Sequence, residues 1–260
     1  MPEVVETLRL LQKIPELRVS RNTPLSLHTR FGIGGPAAIY AETAHMEAFV
    51  AARRAAERSA LPVVVIGGGT NLIVSDAGFP GVVLRFTASE IRLDGGAVFV
   101  EAGADLQTLV DRSIDAGLQG VETLTGIPGT VGAAIYGNAG AYGHSISERV
   151  RAVCSNDGAQ GRIASNAECE FRYRESVFKR RKDWVIFSAE LALDPAASDE
   201  LRRIATGIRA IRDEKYPPSM KCAGSIFKNL LLAELPEETR VAVPERVVRE
   251  GKVPSAYFLE

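Results

Sequence analysis

Cysteine and histidine are scarce in this 260-residue chain, with three of each. Cys154, Cys169 and Cys222 form an odd set with no CxxC spacing. That argues against a disulfide framework and a structural zinc site, and points to a reduced, cytoplasmic protein in which no metal is expected. No stretch approaches the roughly 20 apolar residues of a membrane helix, and no tract is repetitive or of low complexity. An excess of charge is absent too. Lys and Arg number 31 against 32 Asp and Glu, so nothing favours nucleic acid or an anionic membrane as a general partner. With 46% hydrophobic and 24% charged residues, disorder is excluded, and the length suffices for one large domain or two ordinary ones.

What is present is a mixture of short strands and amphipathic helices. The N-terminus is apolar at Val4, Leu8, Leu11 and Ile14 between charged residues, which predicts a surface helix and not a signal peptide. Thr43 is placed to cap an alanine-rich helix over residues 45–59. A β-branched run, residues 63–66, reads as a buried strand that stops at a glycine loop. Residues 91–93 and 98–100 read as a hairpin turned by Asp94 and Gly95. Asp105 opens a helix that Gly117 stops, residues 184–193 form a patterned strand, and residues 199–214 form a helix ended by Tyr216, Pro217 and Pro218. Hairpins outnumber alternating strand–helix units, so the class is α+β.

Glycine is concentrated in two places. The first is Gly67, Gly68 and Gly69, followed by Thr70, Asn71 and Leu72. Consecutive glycines permit positive φ and bring backbone N–H groups close to a ligand, and the two polar residues add donors suited to phosphate. A tight surface turn explains the same residues. Neither a P-loop nor a GxGxxG fingerprint is present. The second place runs over residues 126–143 and includes Pro128, Gly129, Thr130, Gly132, Ala133, Asn138, Gly140 and Ala141. So little side chain suits a backbone pressed against a flat or extended ligand, or alternatively a packed Gly/Ala helix contact.

These two segments, VVVIGGGTNLIVSDAGFPGVVL and TGIPGTVGAAIYGNAGAYG, resemble the flavin domain of the UDP-N-acetylenolpyruvoylglucosamine reductase family. NTPLSLHTRFGIGGPA, residues 22–37, is similar to that family's opening motif, and the resemblance extends from about residue 22 to residue 229. It implies a two-part FAD-binding domain of the vanillyl-alcohol-oxidase (PCMH) type over residues 22–197, with subdomains near 22–84 and 85–197. A helix over residues 1–21 precedes it, and part of a substrate-binding domain over residues 198–260 follows. Non-covalent FAD is the expected cofactor, because none of the histidines lies in the first glycine loop, and NADPH is the expected hydride donor. The cofactor-binding residues implied are the glycine-loop residues named above.

The resemblance also implies the chemistry. A vinyl ether bearing a carboxylate, the enolpyruvyl ether of a UDP-sugar, takes a hydride at C3 and a proton at C2, as one step of peptidoglycan precursor synthesis. Such a reaction needs a cation at the carboxylate and a positioned proton donor. FRYRES matches the family's tyrosine–arginine motif, with Arg174 as the catalytic arginine and Tyr173 beside it as a substrate contact. AGSIFKN matches a second motif, with Ser225 as the proton donor and Lys228 and Asn229 as substrate contacts, together with Lys215. Taken without the resemblance, the arginines read as a solvated strand face, Ser225 as a turn residue and Lys215 as a helix-end charge.

The family's third motif, a catalytic glutamate, has no counterpart here, and Glu260 is not given that role. A C-terminally truncated chain is therefore expected, with residues 230–250 off the family pattern. The alternatives are another flavin oxidase or dehydrogenase on the same scaffold, and an FAD-binding protein without turnover.

Overall fold

Apolar residues three and four apart define helix α1 (Pro2–Leu11), which buries Val4, Thr7 and Leu11. Strands β1 (Arg18–Pro24) and β2 (Pro36–Thr43) follow, then helix α2 (Met46–Glu57) and strands β3 (Val63–Ile66) and β4 (Phe79–Phe86). The four strands form one sheet in the order β1-β2-β4-β3, antiparallel between β1 and β2 and parallel elsewhere. This computed structural model describes residues 2–217 and 219–259, so the expectations placed on Pro218 and Glu260 fall outside the described residues.

Two readings of this region need correction. The run at residues 63–66 is not a fully buried strand. As the sheet's edge, β3 leaves Val64 36% and Val65 39% exposed, and only Ile66 turns inward. Nor does Thr43 cap α2. Its hydroxyl accepts from the His45 N–H at 3.0 Å, which places His45 itself at the helix start without a side-chain cap.

The chain then builds a second sheet. The elements of this region are β5 (Ile91–Asp94), β6 (Ala97–Glu101), α3 (Leu106–Asp115), β7 (Leu118–Gln119), α4 (Val131–Tyr136), β8 (Gly140–Ala141) and β9 (His144–Ser145). β10 (Val150–Asn156), β11 (Gly161–Ser165), α5 (Val177–Arg180), β12 (Val185–Ala192), β13 (Asp194–Pro195) and α6 (Ser198–Lys215) complete it. Five strands pair antiparallel in the order β11-β10-β12-β6-β5, while β7 with β13 and β8 with β9 pair in two small ladders of their own. The hairpin at Gly95 (φ +55) and the Asp105 cap, whose carboxylate accepts from Thr108 N–H at 2.9 Å, form as the sequence predicts.

Both sheets share one core. Val82 and Leu84 of β4, Val98 and Val100 of β6 and Leu191 of β12 belong to a single buried cluster with Phe49 of α2. Phe49 meets Phe86 of β4 and Phe187 of β12 edge to face, with ring centroids 6.0 and 5.4 Å away. The buried Arg53 donates to the Asp183 carbonyl just before β12, so α2 bridges the sheets by polar bonds as well.

This first compact unit runs Met1–Cys222 and includes α6, which the sequence reading grouped with residues 198–260. α6 packs on α3 and on residues 122–124. It buries Leu201 and Ala205, while Ile211 near its C-terminal end is 45% exposed. The second unit, Ala223–Glu260, contains a two-residue ladder between β14 (Leu230–Leu231) and β15 (Lys252–Val253), with helix α7 (Glu237–Ala242) between them. The charged stretch without a place on the family pattern thus forms α7 and its flanking turns. Among the described residues no helix is long and apolar enough to cross a membrane.

Phe49→Ala should cost about 3–5 kcal/mol, because the side chain is 1% exposed and its ring contacts reach both sheets. Urea unfolding followed by circular dichroism measures this, and a loss below about 1 kcal/mol would show that the sheets do not depend on the aromatic contact.

Candidate flavin site

The two glycine segments come from different sheets, and the fold presses them together. The first leaves the end of β3, and the second leads into α4. Thr70 Oγ1 donates to the Pro128 carbonyl at 3.2 Å, across 58 residues of sequence. A methyl group built on Gly68 would lie 3.4 Å from Gly129 Cα, and one on Gly67 would lie 3.0 Å from Thr130 Oγ1. Gly69 and Gly129 have φ of +63° and +121°, a region that side chains rarely tolerate. Here the glycines are needed for close backbone approach, so a solvent-facing surface turn does not account for them.

Each loop has its own support. Behind the first stands the segment after β1: Arg30 N–H donates to the Gly69 carbonyl at 3.1 Å, and Gly35 N–H to the Ser75 carbonyl at 2.9 Å. Leu72 turns from this loop into a small apolar cluster with Leu25, Tyr40 and Val83. Behind the second stands the chain after β6. Val131 and Gly132 N–H groups donate to the carbonyls of Ala104 and Ala102, and Leu106 N–H to that of Gly129, all at 2.9 Å. Thr130 caps α4, its hydroxyl facing Ala133 N–H at 3.4 Å.

With those bonds made, the backbone N–H groups of Gly67, Gly68, Gly69, Thr70, Gly129 and Thr130 meet no acceptor among the described residues. These residues are partly buried, where unpaired donors are costly. A set of unpaired donors on glycine-rich backbone suits a phosphate or pyrophosphate group. The sequence reading had the loops but not their buttresses. The pair Gly34-Gly35 and the alanines at 102 and 104 were the signals available for those.

The second segment continues into a polar knot. Asn138, 6% exposed and at φ +42°, donates from Nδ2 to the Arg172 carbonyl at 2.9 Å and accepts from Ser147 N–H at 3.3 Å. Arg172 and Glu175 exchange backbone hydrogen bonds of 3.0 Å, closing a tight turn with Tyr173 and Arg174 at its tip. Arg174 has φ +55°, a conformation costing roughly 1–2 kcal/mol for a residue with a side chain. Its guanidinium donates to the Gly140 carbonyl at 2.8 Å and faces the Asn138 carbonyl at 3.4 Å. Its own carbonyl accepts from Lys179 Nζ at 2.7 Å, and its guanidinium carbon lies 5.5 Å from the Tyr173 ring centroid. No carboxylate pairs with Arg174 among the described residues, whereas the neighbouring Arg180 and Arg181 pair with Glu170 and Asp183. Nearby, burial and then the Glu175 charge push the Tyr136 phenol up from its ordinary value.

Thus the fold joins residues 67–70 to residues 128–133, and Asn138 and Gly140 to the turn that carries Tyr173 and Arg174, while Ala141 pairs with His144. Asn71 is exposed beside them. Lys215 is the last residue of α6 and exposed. Ser225, Lys228 and Asn229 lie in the second unit, exposed in a segment that Gly224 opens with φ +71°.

Known proteins share this fold. A family described as an FAD binding domain matches residues 37–163. The UDP-N-acetylenolpyruvoylglucosamine reductase of Solibacter usitatus is 60% identical over 250 residues, covering 96% of this chain and 80% of that protein. The chain belongs to this reductase family. Its counterpart in Thermobifida fusca is 37% identical, covering 82% of this chain and 69% of its own length. The crystal structure of the Thermus caldophilus reductase superposes with a TM-score of 0.70 at 32% identity, over 82% of this chain and 75% of that one. A solvent-stable cholesterol oxidase, 16% identical with a TM-score of 0.54 over 70% of this chain and 39% of that one, shares the fold alone. Members of the reductase family are FAD-dependent oxidoreductases, and the α+β, PCMH-type flavin fold expected from the glycine segments is the one present.

Gly69→Ala should lower FAD affinity by more than about tenfold, or ~1.4 kcal/mol, because the new methyl meets the His28 carbonyl at a positive φ. Gly68→Ala, with room at 3.4 Å, should do less. Flavin-fluorescence titration compares them, and wild-type affinity in the Gly69 variant would remove the loop from the cofactor site.

Proposed function

We propose that this chain reduces the enolpyruvyl ether of UDP-N-acetylglucosamine to UDP-N-acetylmuramate, with NADPH as hydride source, in peptidoglycan precursor synthesis. Supporting this are the family membership and, above all, one observation. Arg174 keeps an ion-pair-free guanidinium, held only by neutral carbonyls, at the tip of a turn bonded to the second glycine segment.

The glycine backbone at residues 67–70 and 128–133 would hold the FAD phosphates, with Asn71 and the loop at residues 138–141 adjoining. Bound FAD supplies two-electron chemistry, accepting a hydride from the nicotinamide and delivering it to C3 of the ether. The chain's own residues do the rest. Hydride addition at C3 drives electron density onto C2 and the carboxylate, so an enolate develops where the substrate carried one negative charge. Arg174 stabilises that charge, and its planar fork suits a carboxylate. The Arg174 bonds to neutral carbonyls leave its charge uncancelled, which a carboxylate partner would have consumed.

Ser225 would give the proton to C2. Serine is a poor acid at its ordinary pKa, so it acts only when oriented and electrostatically assisted, and Lys228 on the same segment is suited to assist. Tyr173, Lys215 and Asn229 would contact the substrate, with Lys215 suited to its diphosphate by charge. The protein is placed in the cytoplasm by this reading, since its nucleotide substrates are made there.

Stopped-flow reduction and reoxidation of the flavin test the reading. NADPH should reduce the FAD-loaded chain, and the ether should reoxidise it without oxygen. Arg174→Lys should slow reoxidation by about 100-fold or more, and Ser225→Ala by a factor of roughly 10²–10⁴, with NADPH reduction intact in both. A reduced flavin that only oxygen discharges, with release of hydrogen peroxide, would replace the reductase with an oxidase or a protein without turnover.

A further inference from the structure

The amide of Asn138 is spent on the protein. Its Nδ2 donates to the Arg172 carbonyl and its Oδ1 accepts from Ser147 N–H, in a buried position. We propose that Asn138 is a positioning residue for Arg174, setting the guanidinium through the turn at residues 172–175. The inference rests on the role given to Arg174 above.

The geometry is a closed circuit. At the foot of the turn, the Arg172 carbonyl accepts from both Glu175 N–H and Asn138 Nδ2, which occupies both of its lone pairs. At the tip, Arg174 reaches back to the carbonyls of Asn138 and Gly140, so foot and tip are fastened to the same short stretch of chain. Lys179 adds a third tie, to the Arg174 carbonyl. Two of the residues in the circuit, Asn138 and Arg174, sit at positive φ without being glycine. Such conformations persist where surrounding bonds over-determine them, and they cluster where a side chain must be aimed.

Residue type matters at 138. Asparagine tolerates the left-handed region better than most side chains, and it alone combines that tolerance with a donor for Arg172 and an acceptor for Ser147. Glycine would keep the backbone path, and with it any backbone contact to flavin, while deleting both side-chain bonds. Aspartate would keep the acceptor but set a carboxylate against the Arg172 carbonyl oxygen.

Asn138→Gly separates positioning from general support. In the FAD-loaded variant, reoxidation by the enolpyruvyl ether should fall about 100-fold, the scale of an ångström-size misplacement, while reduction by NADPH falls by a far smaller factor. Asn138→Asp should show the same split at neutral pH. It should recover partly in acid, where the introduced carboxyl gains a proton to donate to Arg172. Equal loss in both half-reactions, or loss in neither, overturns the proposal.

If the wild-type flavin is not discharged by the ether, the reductase reading fails and the tie is decided separately. Hydrogen exchange of the Arg174 guanidinium protons, assigned in ¹⁵N spectra with the Arg174→Lys variant, should then quicken in Asn138→Gly. Unchanged exchange overturns it.

Discussion

Two glycine-rich backbones, distant in sequence, meet closely with only the threonines at 70 and 130 reaching across, and much of the molecule serves that approach. The first glycine segment can reach Gly129 only because β3 ends where it does and the segment after β1 braces Gly69 and Ser75 from behind. The second can reach Gly68 only because its N–H groups are bonded to the carbonyls that follow β6. The bonds that brace both loops leave their remaining donors unpaired. In the proposed site, a phosphate there would replace water at fixed dipoles, with little reorganisation left to do on binding. The shared apolar core and the α2 arginines keep the sheets at the separation the loops require.

In the role proposed for it, Arg174 shows the complementary principle. A cation that is to meet a developing negative charge must be fixed in place without being neutralised. Carbonyl oxygens do this: they accept hydrogen bonds and orient the group while leaving its net charge intact. The surrounding arginines illustrate the contrast. Arg180 and Arg181 are paired with exposed carboxylates, an arrangement worth little energetically and suited to a solvated surface.

The parts of this that could be read from sequence were local. The caps and hairpins at Asp94-Gly95, Asp105 and Gly117 follow from one or two residues each, and they form where expected. The glycine segments announced close backbone approach because no other residue permits it. What sequence could not show was which surfaces meet. The β-branched run of β3 looks the same whether it lies in the middle of a sheet or at its edge, and only strand order decides. Asn138 reads as one polar residue in a small-residue loop. Its importance lies in Arg172, 34 positions away, whose carbonyl it holds. Likewise the single arginine buried in the alanine-rich α2 finds its acceptor 130 residues later, at Asp183.

Those separations bear on how the molecule assembles. Contacts that close long loops are entropically expensive until both ends are already placed, so they form late. Thr70 with Pro128, Asn138 with Arg172 and Arg53 with Asp183 are all of this kind. The antiparallel β5–β6 hairpin and the helices can be in place while the gap between the glycine loops is still absent. On the proposed assignment of the glycine loops, a chain emerging from the ribosome therefore has no flavin site until β12 has been made, although both glycine segments are synthesised well before it. Cofactor loading is in that sense a report that the second sheet is finished.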